Sequence, residues 1–405
     1  MQDRLLLLRQ LRAQRITRIW LVTSGLVLLG LAVAGGAMRL TQASGGNLLS
    51  ADVFYEVMSV HGSGMVVVGL MAAAGVLWYL VSNEIELSVT VNRIVFLLTL
   101  SGLVLIVLAV LVFGYSSAWT FLYPLPENPG SGIATAAIGA AAYLIGLALA
   151  VVGFLLWCLD FLRAGLKRCG SLQRLLGFYV FGPAGHGHAG DNDPTATNPS
   201  LIAGTVCAIL GLSACVIGAL IVVLMLISLV FPSLTLNALV AKNMIYFTLM
   251  AMAGWAIGGF GAVIDSTISL NQFFHNTLWV PAHFHTYMAL GVMFFLIGAT
   301  YHVIPKLTGR RMRENVGRRA AALMGFGGYG LVLCWYISGS MSAPRRYLYP
   351  LTGTEALAWI AVACAAVALT GAVMVCYDLV DVFLTSPHYN LPKPAPSPEL
   401  APSEV

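Results

Sequence analysis

His275-Asn276-Thr277-Leu278-Trp279-Val280-Pro281-Ala282-His283-Phe284-His285 opens an apolar segment that runs to Ile304. Three of the chain's eight histidines stand in this short stretch, where ionisable groups are rare and mark function when they occur. Proline suits the first turn of a helix, so a helix is expected to begin beside Pro281 and to carry His283 and His285 on its outermost turn. Helical residues two apart point about 200° apart. The two imidazoles therefore face opposite flanks and cannot share one metal as an i, i+4 pair could. Two separate ligand sites, or one ligand and one structural histidine, are what this spacing allows.

Apolar residues make up 59% of the 405 and charged residues 9%, far from the balance of a soluble protein. Runs of about 20 apolar residues mark membrane spans. Nine are expected: Ile19–Met38, Phe54–Leu80, Ile94–Phe113, Ala136–Leu159, Leu201–Val230, Met244–Ile264, Phe284–Ile304, Ala320–Ile337 and Ala356–Tyr377. The fold class is an all-α polytopic membrane bundle of eight or nine helices. Arg4, Arg9, Arg12, Arg15 and Arg18 precede the first span, which lacks a small-residue cleavage site and reads as a retained helix with a cytoplasmic N-terminus. The net charge of +5 falls mostly in loops on that side and does not suggest nucleic-acid binding. The cysteines form no Cys-x-x-Cys and read as small core residues.

The pattern divides the chain into a basic cytoplasmic leader (1–18), membrane helices one to four (19–160), a soluble connecting loop (161–200), a second membrane block with the His283/His285 helix (201–378) and a disordered, proline-rich tail (379–405). The connecting loop contains His186, His188 and Asp191, but its Gly, Asn, Pro and Thr content marks it as a surface connector. Basic residues after span four, and Lys306, Arg310, Arg311, Arg313, Arg318 and Arg319 after the His283 helix, put both loops on the cytoplasmic side. An odd number of crossings must then separate the first of these loops from Asn271. Either Leu201–Val230 or Met244–Ile264 fails to cross, or a crossing lies within 160–200. Gly254, Gly258, Gly259 and Gly261 make the second segment the looser helix, or else the one that packs closely on a cofactor.

His61, near the start of span two, lies at the same expected depth as His285 on another helix. Two neutral imidazoles at matched depth can clamp one haem iron from both sides as a six-coordinate low-spin centre. Arg345 and Arg346 follow span eight, on the outer side where positive charge runs against the usual bias. Haem propionates would hold them there, with His275 as a propionate or neighbouring contact rather than an axial ligand. Arg39 is either a contact to the haem edge or propionate, or an interfacial anchor. His302 and His388 read as structural.

These residues carry a resemblance. His275-Asn276-Thr277-x-Trp279-Val280-Pro281-x-His283-Phe284-His285, followed by Tyr301-x-x-Ile304-Pro305-Lys306-Leu307-Thr308-Gly309, resembles helix ten of the haem-copper oxidase catalytic subunit, nearest its B family. Met38-Arg39-Leu40, His61-Gly62, Thr120-x-x-Tyr123-Pro124, Gly258-Gly259-x-Gly261 and Pro344-Arg345-Arg346 fall in the family's order. The resemblance implies that His61 and His285 hold the low-spin haem, that His283 matches the high-spin haem ligand, and that Arg345, Arg346 and His275 contact propionates. The family's copper site needs a His-His pair and a further helix-borne His. This sequence has no His-His dipeptide and no histidine between His188 and His275, so copper is not expected. His283 either holds a second haem, ligates nothing, or faces a partner subunit.

The function expected is a haem-binding electron-transfer subunit, with one haem b and a second left open, in a respiratory complex of the bacterial or archaeal plasma membrane. Cytochrome c or quinol would be its donor. The rivals are an active terminal oxidase or nitric oxide reductase using haem at His283, and a haem-sensing or assembly protein.

Overall fold

A computed structural model of the chain describes residues 2–82, 85–116, 133–169, 242–310 and 312–385. The helices in chain order are α1 (Gln2–Ala43), α2 (Ala51–Ser82), α3 (Val89–Leu111), α4 (Ile133–Cys169), α5 (Lys242–Ser266), α6 (Ile268–Phe274), α7 (Trp279–His285), a π-helical segment (Thr286–Met293), α8 (Phe294–Thr308), α9 (Glu314–Ser340) and α10 (Glu355–Thr385). Among the described residues, eight helical stretches are long and apolar enough to cross a membrane, with α7, the π segment and α8 forming one of them. The only extended pairing there is an isolated bridge between Thr277 and Pro344. This is an all-α polytopic membrane bundle.

Helices outrun the apolar segments that announce them. No proline or glycine interrupts residues 2–24, so the basic leader is the first part of α1. Residues 161–169, expected in the connector, belong to α4, which continues to Cys169. Asp160 anchors this extension, accepting the Ser88 backbone N–H at 2.8 Å and Arg163 Nη2 at 2.7 Å. Residues 379–385, expected in the tail, belong to α10, which reaches Thr385. There the fully buried Asp378 accepts Arg313 Nε at 2.8 Å and the Arg313 backbone N–H at 3.1 Å. Leu201–Val230, the His186/His188/Asp191 loop, the Thr120–Pro124 motif and His388 lie outside the described residues.

Lipid tails give no hydrophobic drive between helices, so close backbone approach at small residues holds them together. Cβ atoms on Gly102 and Gly153 would stand 3.1 Å from the Ala150 nitrogen and 2.9 Å from Thr99 Oγ1, which is how α3 and α4 lie flush. The Met244–Ile264 segment is a continuous helix whose glycines serve close packing. A Cβ on Gly254 would meet the Gly291 nitrogen at 2.8 Å, and one on Gly258 would meet Tyr287 at 3.2 Å. Helix α5 starts with Asn243 against Gly317, at the end of the bundle where Arg18 donates to the Leu307 carbonyl and Arg313 holds Asp378. Helix α5 is thus one full-length span between the basic loop after α4 and Asn271.

Two apolar cores result. One joins α1 to α4 around Trp20, Met71, Trp78, Ile106 and Tyr143. The other joins α5, α8, α9 and α10 around Phe247, Phe294, Ile304 and Val375. The ligand-bearing turn of α7 lies where the two halves meet, at the end of the bundle opposite the arginine clamp.

Candidate functional site

His61 on α2 and His285 at the end of α7 come together from separate halves of the chain. Their rings are nearly parallel, 11° apart in plane, with centroids 6.2 Å apart. His61 Nδ1 lies 2.8 Å from the Leu31 carbonyl of α1, and His285 Nδ1 lies 2.7 Å from the Pro281 carbonyl one turn back. A carbonyl can only accept, so both Nδ1 atoms carry the proton and both Nε2 atoms keep a free lone pair. That is the tautomer a metal requires. A metal–imidazole bond of about 2.0–2.1 Å on each side, plus the distance from nitrogen to ring centre, adds to about 6 Å between centroids. The separation between the rings matches the length one iron between two imidazoles would need.

The backing of His61 comes from a gap in α1. A Cβ on Gly35 would stand 2.7 Å from His61 Cε1, so only glycine leaves room for the ring. Gly35 is four residues past Leu31, and its missing side chain also uncovers the Leu31 carbonyl for a second bond. On the His285 side, Trp335 of α9 meets the ring edge-on at 4.8 Å. Arg39 stacks its guanidinium over Trp335 at 5.8 Å. Arg39 is 5% exposed, so it lies inside the bundle. Its Nη1 donates to Gln42 at 3.0 Å, while its Nε is buried with no hydrogen-bond partner.

The outer loops converge over this pair. The backbone N–H groups of Leu278 and Arg345 donate to Ala343 and Asn276 carbonyls, each at 2.8 Å. This zips the His275 loop to the Arg345–Arg346 loop. Arg346 sits at φ 64°, a left-handed conformation a non-glycine residue holds only when its surroundings enforce it. The Tyr55 hydroxyl, donating to the Arg346 carbonyl at 3.0 Å, does so. Among the described residues neither arginine is paired with a carboxylate. Burial pushes the Arg345 guanidinium below its ordinary value, and it does the same to Arg346, where the charge of Arg345 adds to the effect. Both would gain from an anion. His275 is exposed beside them.

His283 is placed differently. It faces α5, with Nε2 4.0 Å from Asp265 Oδ2. Its Nδ1 is buried without a hydrogen-bond partner, as is Asp265 Oδ1. The spacing argument for opposite flanks thus describes the geometry, since His285 turns to α2 and α9 and His283 to α5. His302 is half-buried in α8, away from both.

Four contributors escaped the sequence reading. Asp265 had a weak signal, a lone carboxylate at the very end of the Met244–Ile264 apolar segment. The Ala34-Gly35-Gly36 notch was visible as a glycine pair without a purpose. Trp335 and the Leu31 carbonyl had none, since only folding brings them to the histidines. The π-helical segment directly after His285 was also silent. It leaves Thr286 Oγ1 bonded to the Ala282 carbonyl at 2.7 Å and the Gly291 backbone against Trp255, and such segments concentrate at functional sites.

A family profile described as cytochrome c and quinol oxidase polypeptide I matches residues 15–232 and 208–370. The chain belongs to this family. Proteins of the family bind haem, and its subunit I homologues work in multi-subunit respiratory complexes. Cytochrome c oxidase subunit 1 of Thermus thermophilus is 29% identical over 100 residues, 24% of this chain and 18% of that protein. The corresponding protein of Cereibacter sphaeroides is 32% identical over 97 residues, 24% and 17%. A haem-copper oxidase subunit I+III of Aeropyrum pernix is 35% identical over 101 residues, 25% and 12%. These alignments span less than a fifth of the relatives' own lengths. A solved structure described as a heme-copper terminal oxidase dimer overlays with a TM-score of 0.60 and 15% identity, covering 95% of this chain and 88% of that one. It shares the fold.

Proposed function

We propose that this member of the oxidase subunit I family is a haem-binding electron-transfer subunit whose single low-spin haem b is held between His61 and His285. The observation that carries the reading is the pair of parallel imidazoles 6.2 Å apart, each with Nδ1 on a main-chain carbonyl. A bound haem would supply reversible one-electron exchange, which a six-coordinate centre performs with little rearrangement. The chain's residues prepare for it. Leu31 and Pro281 carbonyls fix the tautomer and orientation of both rings, Gly35 makes room for one, and Trp335 buttresses the other. Arg345 and Arg346 would pair with propionates, with His275 beside them, and Arg39 would lie at the haem edge.

The sequence offers no His-His pair for copper, so electrons arriving from cytochrome c or quinol would pass to another subunit of the respiratory complex. The basic residues at the Arg18–Arg313 end support a cytoplasmic N-terminus in a bacterial or archaeal plasma membrane, with the haem toward the outer face. Optical spectra of the purified protein test the reading. Wild type is expected to give a low-spin haem b spectrum that His285→Ala abolishes, and an unchanged spectrum in that variant would refute it.

A further inference from the structure

His283 and His285 share one turn of one helix, yet their surroundings are opposite. A histidine that ligates a metal has its second nitrogen held by a carbonyl, carboxylate or water. His285 has that bond, to the Pro281 carbonyl. His283 has the reverse arrangement. Its Nδ1 is buried and unbonded and is closed off by α5, where a Cβ on Gly261 would stand 2.8 Å from it and 3.1 Å from the Tyr336 hydroxyl. Its Nε2, the other nitrogen, faces the Asp265 carboxylate at 4.0 Å. The nitrogen that would take iron is thus the one turned to a carboxylate, and the nitrogen that a ligand needs braced has no partner.

The walls tell the same story. A macrocycle needs protein on both faces, and beside His283 the described residues supply one side only. Phe260 and Val263 of α5 are 69% and 63% exposed, and Tyr287 after the ligand turn is 45% exposed. Asp265, at the outer end of α5 with its side chain 20% exposed, also calls for a partner, because a half-buried carboxylate at the membrane edge is costly unless something satisfies it. Among the described residues no lysine or arginine forms an ion pair with it; His283 is the group within ion-pair reach, with Trp279 and His275 also near.

We infer that His283 is not an iron ligand in this chain: Asp265 engages its imidazole, the pair ties the outer turn of α7 to α5, and the chain holds one haem. The second haem that the family would place here does not fit these residues. His283 is a positioning residue, holding the turn that carries His285. The count of one haem rests on the His61–His285 reading, while the role of His283 does not.

The test uses the full chain purified in detergent, with haem per chain by pyridine haemochrome and spin state by electron paramagnetic resonance. Wild type, His283→Ala and His283→Gln are expected to carry one haem each, low-spin only, and His285→Ala none. A second haem in wild type, or a high-spin signal that both His283 variants lose, overturns the inference. A low-spin signal that survives in full in His285→Ala instead overturns the His61–His285 reading. A thermal double-mutant cycle probes the pairing. Asp265→Ala and His283→Ala are each expected to lower Tm by about 2–4 °C, with the double variant melting no lower than either single. Losses that simply add would show that the two side chains do not act as a pair.

Discussion

Two flanks of a single helical turn make the instructive comparison. The α2-facing flank carries His285, its ring parallel to His61 and its Nδ1 fixed on a carbonyl. The α5-facing flank carries His283, its Nδ1 unbonded and its Nε2 toward a carboxylate. Both are histidines at the same depth, two residues apart, in a motif shared with the family. What separates them is what the neighbouring helices bring. Helices α1 and α2 contribute a glycine gap, a carbonyl and a second imidazole, which together suit iron. Helix α5 contributes a glycine and an aspartate, which suit the imidazole alone. A ligand motif specifies where imidazoles sit, and the packed neighbours decide what they hold.

The largest expected effect breaks the α2-facing flank outright. His61→Ala should cost haem affinity at least on the order of 100-fold, as loss of a ligand exceeds loss of its supporting bonds, measured by haem retention on gel filtration. Gly35→Val comes next. Its Cβ would fall 2.7 Å from His61 Cε1, so the ring must turn off the Leu31 carbonyl, and affinity should fall about 10–100-fold with helicity by circular dichroism unchanged.

Arg345→Ala and Arg346→Ala should each weaken haem binding by about tenfold, the scale of one charge-assisted hydrogen bond at a partly exposed site. Loss of affinity in neither would show that propionates lie elsewhere. The smallest effect is expected on the other flank. Gly261→Ala brings a Cβ to 2.8 Å from His283 Nδ1, and it should leave haem content and the low-spin spectrum as in wild type while lowering Tm. A spectral change there as large as that of Gly35→Val would erase the distinction between the flanks. Arg313→Ala, at the far end of the bundle, should also lower Tm without touching the spectrum, because it strips the buried Asp378 of its partner.

Much of this was legible in the residues alone, for a physical reason. Membrane spans are written in composition, because lipid tolerates only apolar helices of sufficient length. Their existence, the histidine-bearing turn at Pro281, and the opposite flanks of His283 and His285 follow from hydropathy and helical period. Helix ends were misjudged where polar groups extend a helix beyond its apolar run, as Asp160 does for α4 and Asp378 with Arg313 does for α10. Hydropathy does not register such anchors.

The order of residues in the chain determined the fold class, the family and the list of imidazoles and arginines from which a haem site can be assembled. Tertiary structure alone decided the assignments within that list. It brought Leu31, Gly35 and Trp335 to His61 and His285, drew Arg39 into the interior, and turned His283 onto Asp265. The reason is that a ligand's chemistry depends on what its second nitrogen touches. That partner sits on another helix, far away in the chain for His61 and unmarked in the sequence for His283.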